Sequence, residues 1–345
     1  MSYSIDFKIG QMILVGFRGI SVNSASPIVR AIRDFHIGGV WLVDEEGPMR
    51  DTIGNVKSAE QVKTLIGDLQ GAAEIPLFIT IDAEGGEIIR LKEVYGFPPT
   101  YPAQYLGEKD DLEFTYHESS KIARRLKNLG FNVNFSPVVD LNRNPENPAL
   151  TKKKRCFSDD PQIVQLHAQQ VIAAHHEAGI KCCLKHFPGQ GSASDDTHLG
   201  FTDISDTWRD DEILPFQYLI GSDLADMILM AHVFNKRFDD KYPATLSKKI
   251  VTGVLREQLG YDGVVITDDI NMRAIRNHYS CEQAIELALN AGVDIIVHAN
   301  NANYDENMPQ CIFQVIRKLV NEKRVSEDRI EEAFQRIMRV KREFR

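Results

Sequence analysis

The sequence predicts an α/β fold, a single (β/α)8 TIM barrel that spans residues 1–345. Two observations predict this fold: short apolar runs recur along the chain, and stretches with helical periodicity separate them. The length of 345 residues fits one barrel, and no low-complexity linker divides the chain. A doubly wound open sheet is the alternative, but it would need a glycine-rich phosphate-binding turn after an early strand, and the sequence has none.

Each apolar run is rich in Val, Ile, Leu or Phe and alternates little with polar residues. This pattern is typical of parallel strands that are buried on both faces. We therefore expect eight parallel strands. In chain order they are 11–17 (QMILVGF), 38–43 (GGVWLV), 77–82 (LFITID), 133–140 (VNFSPVVD), 181–187 (KCCLKHF), 227–233 (MILMAHV), 263–268 (GVVITD) and 293–298 (VDIIVH).

Helices are predicted between these strands from their caps and their apolar periodicity. Ser247 is a candidate N-cap for a helix that ends at Gly260, and Ser326 is a candidate N-cap for a final helix. Ile330, Phe334, Ile337 and Val340 recur at helical spacing after Ser326. Further helical patterns cover 59–73, 112–129, 161–178 and 282–291.

The composition excludes several classes of function. The chain has 40 Lys and Arg against 49 Asp and Glu, a net charge of −9, so it lacks the basic surface that nucleic-acid binding requires. No apolar run approaches the roughly 18 residues of a membrane span, and the N-terminal segment does not read as a secretory signal, which predicts a cytoplasmic protein. The five cysteines form no CxxC pair, so we expect buried thiols, with neither disulfides nor a metal site.

Polar and charged residues collect at the ends of the predicted strands. In a (β/α)8 barrel these ends meet at one face, where the active site forms. A charged group at that position is costly unless it is paired or functional, so several together indicate a site. The residues are Asp82, Arg90, Asp140, Arg155, Lys185, His186, His232, Asp268, Asp269 and His298.

The loop after the fifth strand adds a possible acid/base pair. Residues 188–198 (PGQGSASDDTH) are rich in Gly and Ser, which suits a mobile loop. Asp196 and His198 lie two residues apart in it, and a carboxylate at that distance can hold an imidazole in one tautomer.

Two sequence blocks resemble the signatures of glycoside hydrolase family 3. Residues 185–198 combine KHFPGQG with a later Asp196-Thr197-His198, and residues 254–271 (VLREQLGYDGVVITDDIN) are similar to the nucleophile block of that family. Blocks at 9–17, 81–90 and 134–140 also match, in the right order. More narrowly, the chain resembles the single-domain, NagZ-like β-N-acetylglucosaminidases.

This resemblance implies a role for each matching residue. Asp268 would be the nucleophile that forms a covalent glycosyl-enzyme, and His198, paired with Asp196, would be the general acid and then the general base. The other matching residues would hold the N-acetyl sugar: Asp82, Arg90, Arg155, Lys185, His186 and, as a less certain pocket residue, His232.

The resemblance also implies an activity and its setting. The chain would remove terminal non-reducing β-linked N-acetylglucosamine with retention, in peptidoglycan turnover, without a cofactor or an obligate protein partner. The substrate would be a small carbohydrate, either a muropeptide that contains this sugar or a chitooligosaccharide.

Three parts of the sequence, one residue and two short charged runs, are considered separately from the matching blocks. Gln190 stands where the family usually has histidine, and glutamine keeps hydrogen bonding but cannot titrate. Lys152, Lys153 and Lys154 form either a solvated loop or a subsite for an acidic leaving group. Asp44-Glu45-Glu46 is expected to be a solvated rim of the barrel.

Other functions remain open at this stage. Within the family, a phosphorylase is an alternative because a histidine acid/base does not repel a phosphate acceptor, and a β-glucosidase is another. A zinc hydrolase is disfavoured because neither HxH nor HExxH occurs in the sequence. A degenerate barrel that only binds sugar is the non-enzyme alternative.

Overall fold

The computed structural model describes residues 3–46, 52–301 and 303–344 and forms the predicted parallel barrel. The strands β1–β8 adjoin in the order β7-β6-β5-β4-β3-β2-β1-β8, every pair parallel, and a bridge between Ile266 and Ile295 joins β7 to β8. The strands are Ile13–Gly16, Gly39–Trp41, Phe78–Ile81, Val133–Asn134, Lys181–Phe187, Met227–Met230, Val264–Thr267 and Ile296–His298. All eight predicted strands are therefore confirmed, in the predicted order.

The predicted strand at 133–140 forms a regular ladder only over Val133–Asn134. Pro137 has no N–H to donate, and the N–H of Ser136 bonds back to the carbonyl of Asn134, so the ladder is interrupted. Pairing resumes at a single bridge between Val138 and Lys185. The chain still reaches Asp140 at the carboxyl face of the barrel.

The helices that surround the barrel are amphipathic, as the sequence predicts. The side chain of Ser326 accepts a hydrogen bond from the N–H of Arg329 and so caps the last long helix. Ser247 accepts one from Ile250, although the segment that follows it has π-type geometry over Lys249–Gln258. Helices α1–α11 are Ile5–Gln11, Pro27–Phe35, Ala59–Ala72, Ala103–Lys109, Leu112–Leu129, Pro161–Glu177, Leu214–Gly221, Arg273–Arg276, Cys281–Ala291, Met308–Asn321 and Glu327–Lys341.

Short additional strands shape the loops around the barrel. Ala83–Gly85 pairs with Ile88–Ile89 in a hairpin directly after β3, and Thr202–Asp203 pairs with Val233–Phe234. A third pair joins Glu45–Glu46 to Thr52–Ile53. Met1 and Ser2 of the N-terminal segment and the side chain of Glu46 lie outside the described residues.

Charged side chains lie inside the structure away from the candidate site. Asp294, which is fully buried, accepts hydrogen bonds from Arg256 (2.7 Å) and Arg329 (2.5 Å). Lys341 is also buried, and its Nζ donates to the side chain of Gln11 and to the carbonyl of Gly38, each at 2.7 Å. Among the described residues, no helix combines the length and apolar character that crossing a membrane demands.

Candidate active site

A small cleft, partly open to solvent, lies at the carboxyl ends of the strands. Asp196 contacts His198, and the buried His232 contacts the backbone carbonyl of Asp269, the residue next to Asp268. The cleft therefore brings the nine predicted site residues together, seven of them in its lining: Asp82, Arg90, Arg155, Lys185, His186, His198 and Asp268.

Two carboxylates and three cations form a buried network at one side of the cleft. Lys185 Nζ lies 2.8 Å from Asp82 Oδ1 and 2.6 Å from Glu84 Oε1. Arg155 binds both oxygens of Glu84, at 2.7 and 2.8 Å. Arg90 lies 3.2 Å from the other oxygen of Asp82. Every charge thus has an opposite partner, as buried charges require.

The network keeps both carboxylates ionised. Burial alone would raise the pKa of Asp82, but the charges of Lys185 and Arg90 outweigh burial and lower this pKa well below its usual range. Burial would likewise raise the pKa of Glu84, but Arg155 and Lys185 lower it to about 2. Ionised carboxylates accept strong hydrogen bonds, so Asp82, which lines the cleft, is suited to bind hydroxyl groups, whereas Glu84 holds the lining residues Lys185 and Arg155.

Glu84 is a site residue that the strand-end reasoning missed. It lies three residues beyond the end of β3, in the hairpin strand Ala83–Gly85. A signal was present, because residues two apart in an extended segment share a face, which puts Glu84 on the same side as Asp82. Its partner Arg155 is 71 residues away in the chain and could not be inferred from spacing.

The interpretation of Asp44 as part of a solvated rim is wrong. Asp44 is buried, with Lys92 Nζ at 2.5 Å and Arg90 at 3.6 Å from its carboxylate. Both cations come from the segment after β3, which covers the end of β2 and so removes Asp44 from solvent. Glu45 also binds Lys92, at 2.9 Å, and is partly exposed.

His186 is fixed in orientation by Asp140. The N–H at Nδ1 donates to Asp140 Oδ2 at 2.7 Å, which leaves Nε2 as an acceptor 3.5 Å from Arg155. The other oxygen of Asp140 accepts the backbone N–H of Gln190 at 2.8 Å. Asp140 therefore connects the imidazole to the start of the 188–198 loop, and Gln190, buried in that loop, is bound through its backbone.

The two adjacent aspartates after β7 have different environments. Asp269 is held by the backbone N–H groups of Asn271 and Ala299, each at 3.0 Å, and so links β7 to β8. The carboxylate of Asp268 accepts only the N–H of Asp269 among the described hydrogen bonds, and it lines the cleft. Of the two, Asp268 has the oxygen that can reach a ligand.

The charge state of Asp268 suits a nucleophile. Burial alone would raise its pKa, but electrostatic interactions with His232, His186 and His198 outweigh burial and lower it. The carboxylate is thus ionised at neutral pH. His232 Nε2 donates to the carbonyl of Asp269 at 2.9 Å, so this imidazole also fixes the backbone next to Asp268.

Asp196 and His198 form a hydrogen-bonded pair in the loop after β5. Asp196 Oδ1 accepts from His198 Nδ1 at 2.7 Å and from the backbone N–H of His198 at 2.9 Å. Burial would raise the pKa of Asp196, but the hydrogen bond and charge of His198 lower it to about 2. Nε2 of His198 is then available to exchange a proton, and the side chain is 56% exposed.

The carboxylate of Asp268 and the imidazole of His198 therefore line one cleft, beside a network that can bind hydroxyls. Within the described ranges, no group of three or more His, Cys, Asp or Glu is placed to hold a metal ion. The remaining lining includes apolar side chains against which the carbon faces of a sugar could pack, among them Trp41, Ile88, Phe135, Leu229 and Val297.

Comparison with known proteins identifies relatives of this chain. The model of the glycosyl hydrolase family 3 N-terminal domain matches residues 4–340. β-Hexosaminidase A of Pseudoalteromonas piscicida is 32% identical over 328 residues, covering 83% of this chain and 52% of that protein. The β-hexosaminidase of Xylella fastidiosa (strain M23) is 32% identical over 293 residues, covering 83% and 82%.

A solved structure is similar over almost the whole chain. The family 3 β-N-acetylglucosaminidase from Paenibacillus sp. str. FPU-7 has a TM-score of 0.89 and 29% identity, covering 99% of this chain and 63% of that one. The chain therefore spans about half of the Pseudoalteromonas protein and less than two thirds of the Paenibacillus one.

Proposed function

Because the chain belongs to glycosyl hydrolase family 3, we propose that it is a retaining exo-β-N-acetylglucosaminidase that acts through a covalent glycosyl-aspartate. The observation that supports this most directly is that Asp268 and His198 line the same cleft as the buried network at Asp82 and Lys185. The names of its relatives, β-hexosaminidases, support the choice of sugar. We propose one domain for the whole chain.

In the first step, a carboxylate oxygen of Asp268 attacks the anomeric carbon and displaces the leaving-group oxygen. His198 gives its Nε2 proton to that oxygen, and Asp196 stabilises the imidazole through Nδ1. In the second step, His198 takes a proton from water, which attacks the same carbon and releases Asp268. Two displacements at one carbon give net retention.

The nucleophile is tested by trapping the intermediate. A slow fluorosugar of the N-acetylglucosamine type should leave a glycosyl adduct on Asp268, located by intact mass and peptide mapping. Asp268→Asn should form no adduct and lower kcat on 4-nitrophenyl N-acetyl-β-glucosaminide by several orders of magnitude. Near-wild-type turnover of this variant would contradict the assignment, and an adduct only with a glucose-type reagent would favour a β-glucosidase.

The acid role of His198 is tested with leaving groups of different basicity. His198→Ala should slow substrates with poor leaving groups more than the 4-nitrophenyl substrate, because 4-nitrophenolate needs little protonation. Asp195→Asn is a matched control, since Asp195 is an exposed neighbour whose side chain bonds to Ser194 instead of the imidazole. Equal losses on both substrates would contradict the acid role.

Product analysis tests whether water or phosphate accepts the sugar. It also tests whether the protein binds the sugar without turning it over. We propose water as the acceptor, so turnover should not require phosphate. Sugar 1-phosphate as the main product would make the chain a phosphorylase, and sugar binding without any turnover would make it a degenerate barrel.

We further propose that the leaving group is acidic, as in a muropeptide. A groove of about 620 Å³ adjoins the cleft and contains Lys154, and Lys153 lines both. Lys152 instead faces the exposed Glu146 at 2.7 Å. Lys154→Gln should lower kcat/KM for anionic leaving groups more than for neutral ones, whereas the control Lys152→Gln should not.

If both lysine variants discriminate equally or not at all, this stretch is a solvated loop and a neutral chitooligosaccharide becomes the better candidate substrate. A muropeptide substrate would place the reaction in peptidoglycan turnover. The proposed cytoplasmic location is tested separately by fractionating cells that produce the protein.

A further inference from the structure

The segment that contains Asp82 and Glu84 lacks main-chain pairing on its β4 side. Strand β4 pairs with β3 only at Thr80–Val133 and Ile81–Asn134 and then turns away at Ser136. Ala83, the residue between the two carboxylates, is 1% exposed. Its buried N–H and carbonyl both need partners, because an unpaired backbone group costs about as much as a lost hydrogen bond.

The side chain of Asn134 supplies both partners. Its Oδ1 accepts the N–H of Ala83 at 3.0 Å, and its Nδ2 donates to the carbonyl of Ala83 at 3.0 Å. The side-chain amide of Asn134 thus makes the two hydrogen bonds that the main chain of a neighbouring strand would otherwise make with Ala83. Asn134 itself is fully buried, and neither Asn134 nor His175 lines the catalytic cleft.

His175, on the surrounding helix α6, fixes the orientation of that amide. Its Nδ1 donates to the carbonyl of Val171 at 2.8 Å, so Nε2 is an acceptor, 3.0 Å from Asn134 Nδ2. Burial lowers the pKa of His175 to about 4, which keeps the ring neutral at pH 7. With two acceptors for its N–H groups and one donor for its oxygen, the amide has one satisfied orientation.

We propose that Asn134 is a positioning residue for sugar binding and that His175 supports it. Asp82 and Glu84 lie on either side of Ala83, share one face and bind Lys185 at 2.8 and 2.6 Å. A shift of Ala83 therefore moves Asp82, which lines the cleft, and Glu84, which holds the lining residues Lys185 and Arg155. This inference rests on the proposed function, in which this network holds the sugar hydroxyls.

The direct test compares two asparagines that make the same kind of contact at opposite ends of β3. Asn132 accepts from the N–H of Ile79 at 2.8 Å and donates to the carbonyl of Leu77 at 2.7 Å, away from the cleft. Asn134→Leu and Asn132→Leu should both lower Tm. Only Asn134→Leu should raise the Kd for N-acetylglucosamine, measured by calorimetry, by about tenfold or more, because displacements of about 1 Å at such sites cost up to about a hundredfold.

A second series on α6 covers the case in which Asn134→Leu does not fold. His175→Leu should raise the same Kd, and His175→Gln should restore it in part because the amide oxygen can accept from Asn134. The control His167→Leu removes another buried histidine of α6, one that contacts Thr115 and Asp110, and should change only Tm.

The outcomes test the positioning role of Asn134 and the proposed hydrolase function separately. An unchanged Kd in Asn134→Leu, or in His175→Leu if the former does not fold, overturns the positioning role, as does an equal rise in the control variant. Wild-type protein that binds the sugar without hydrolysing it refutes the proposed function and leaves the positioning test intact. Wild-type protein that does neither refutes both.

Discussion

Replacing Glu84 by glutamine should destabilise the protein by about 3 kcal/mol at pH 7. The pKa of this carboxyl falls from its usual 4.5 to about 2 in the folded protein, a difference of about 2.5 units, and each unit corresponds to about 1.4 kcal/mol. The range for removing one partner of a buried ion pair, about 3–5 kcal/mol, agrees. Glutamine has nearly the same shape as glutamate, so this substitution removes the negative charge that Lys185 and Arg155 both contact and changes little else.

The lowered pKa of Glu84 also determines how the loss of stability in Glu84→Gln depends on pH. A lowered folded-state pKa gives stability that is complete above the unfolded-state pKa and is lost as pH falls through the folded-state value. The difference between wild-type and Glu84→Gln should therefore be constant above about pH 5.5 and fall to less than half by pH 3. Urea denaturation at a series of pH values measures it.

Glu146→Gln provides the matched control, because Glu146 pairs with Lys152 at the same kind of distance, 2.7 Å, but in full contact with solvent. Water screens such a pair, so this variant should lose no resolvable stability. Equal losses in the two variants, or a Glu84→Gln difference that does not change down to pH 3, would refute the reasoning about the network.

Three further predictions concern residues that do not line the cleft. Lys341 has a folded-state pKa lowered to about 7 by burial, so stability should rise between about pH 7 and pH 10, and Lys341→Met should remove this rise in urea titrations. Asp294→Asn should cost about 3–5 kcal/mol because it leaves three mostly buried arginines, Arg256, Arg329 and Arg336, without their carboxylate, whereas the more exposed Asp262→Asn should cost much less. Gly191→Ala would place a Cβ 1.8 Å from a backbone carbonyl oxygen and should lower both Tm and activity, whereas Gly253→Ala meets no atom within 4 Å and should lower neither.

The barrel could be predicted from the sequence because its strands and helices each depend on residues that are close together in the chain. A parallel strand buried on both faces needs an uninterrupted apolar run, and a helix on the surface needs apolar residues at helical spacing. These requirements appear as patterns within about ten residues, so the eight strands and most helices were identifiable. The interruption after Val133–Asn134 has a local cause in Pro137, but the replacement of the missing hydrogen bonds of Ala83 by the Asn134 side chain depends on the distance between two strands.

The sequence alone also indicated which residues gather at the carboxyl face, because every parallel strand ends there. It could not determine which of them pair. Asp82 and Lys185, which pair, are 103 residues apart in the chain. Asp44 has the sequence context of a surface residue, but it is buried because the segment after β3 covers it. Ion pairing, burial and the support of Ala83 by Asn134 and His175 depend on distances between elements that are remote in the chain, and only the tertiary structure sets those distances.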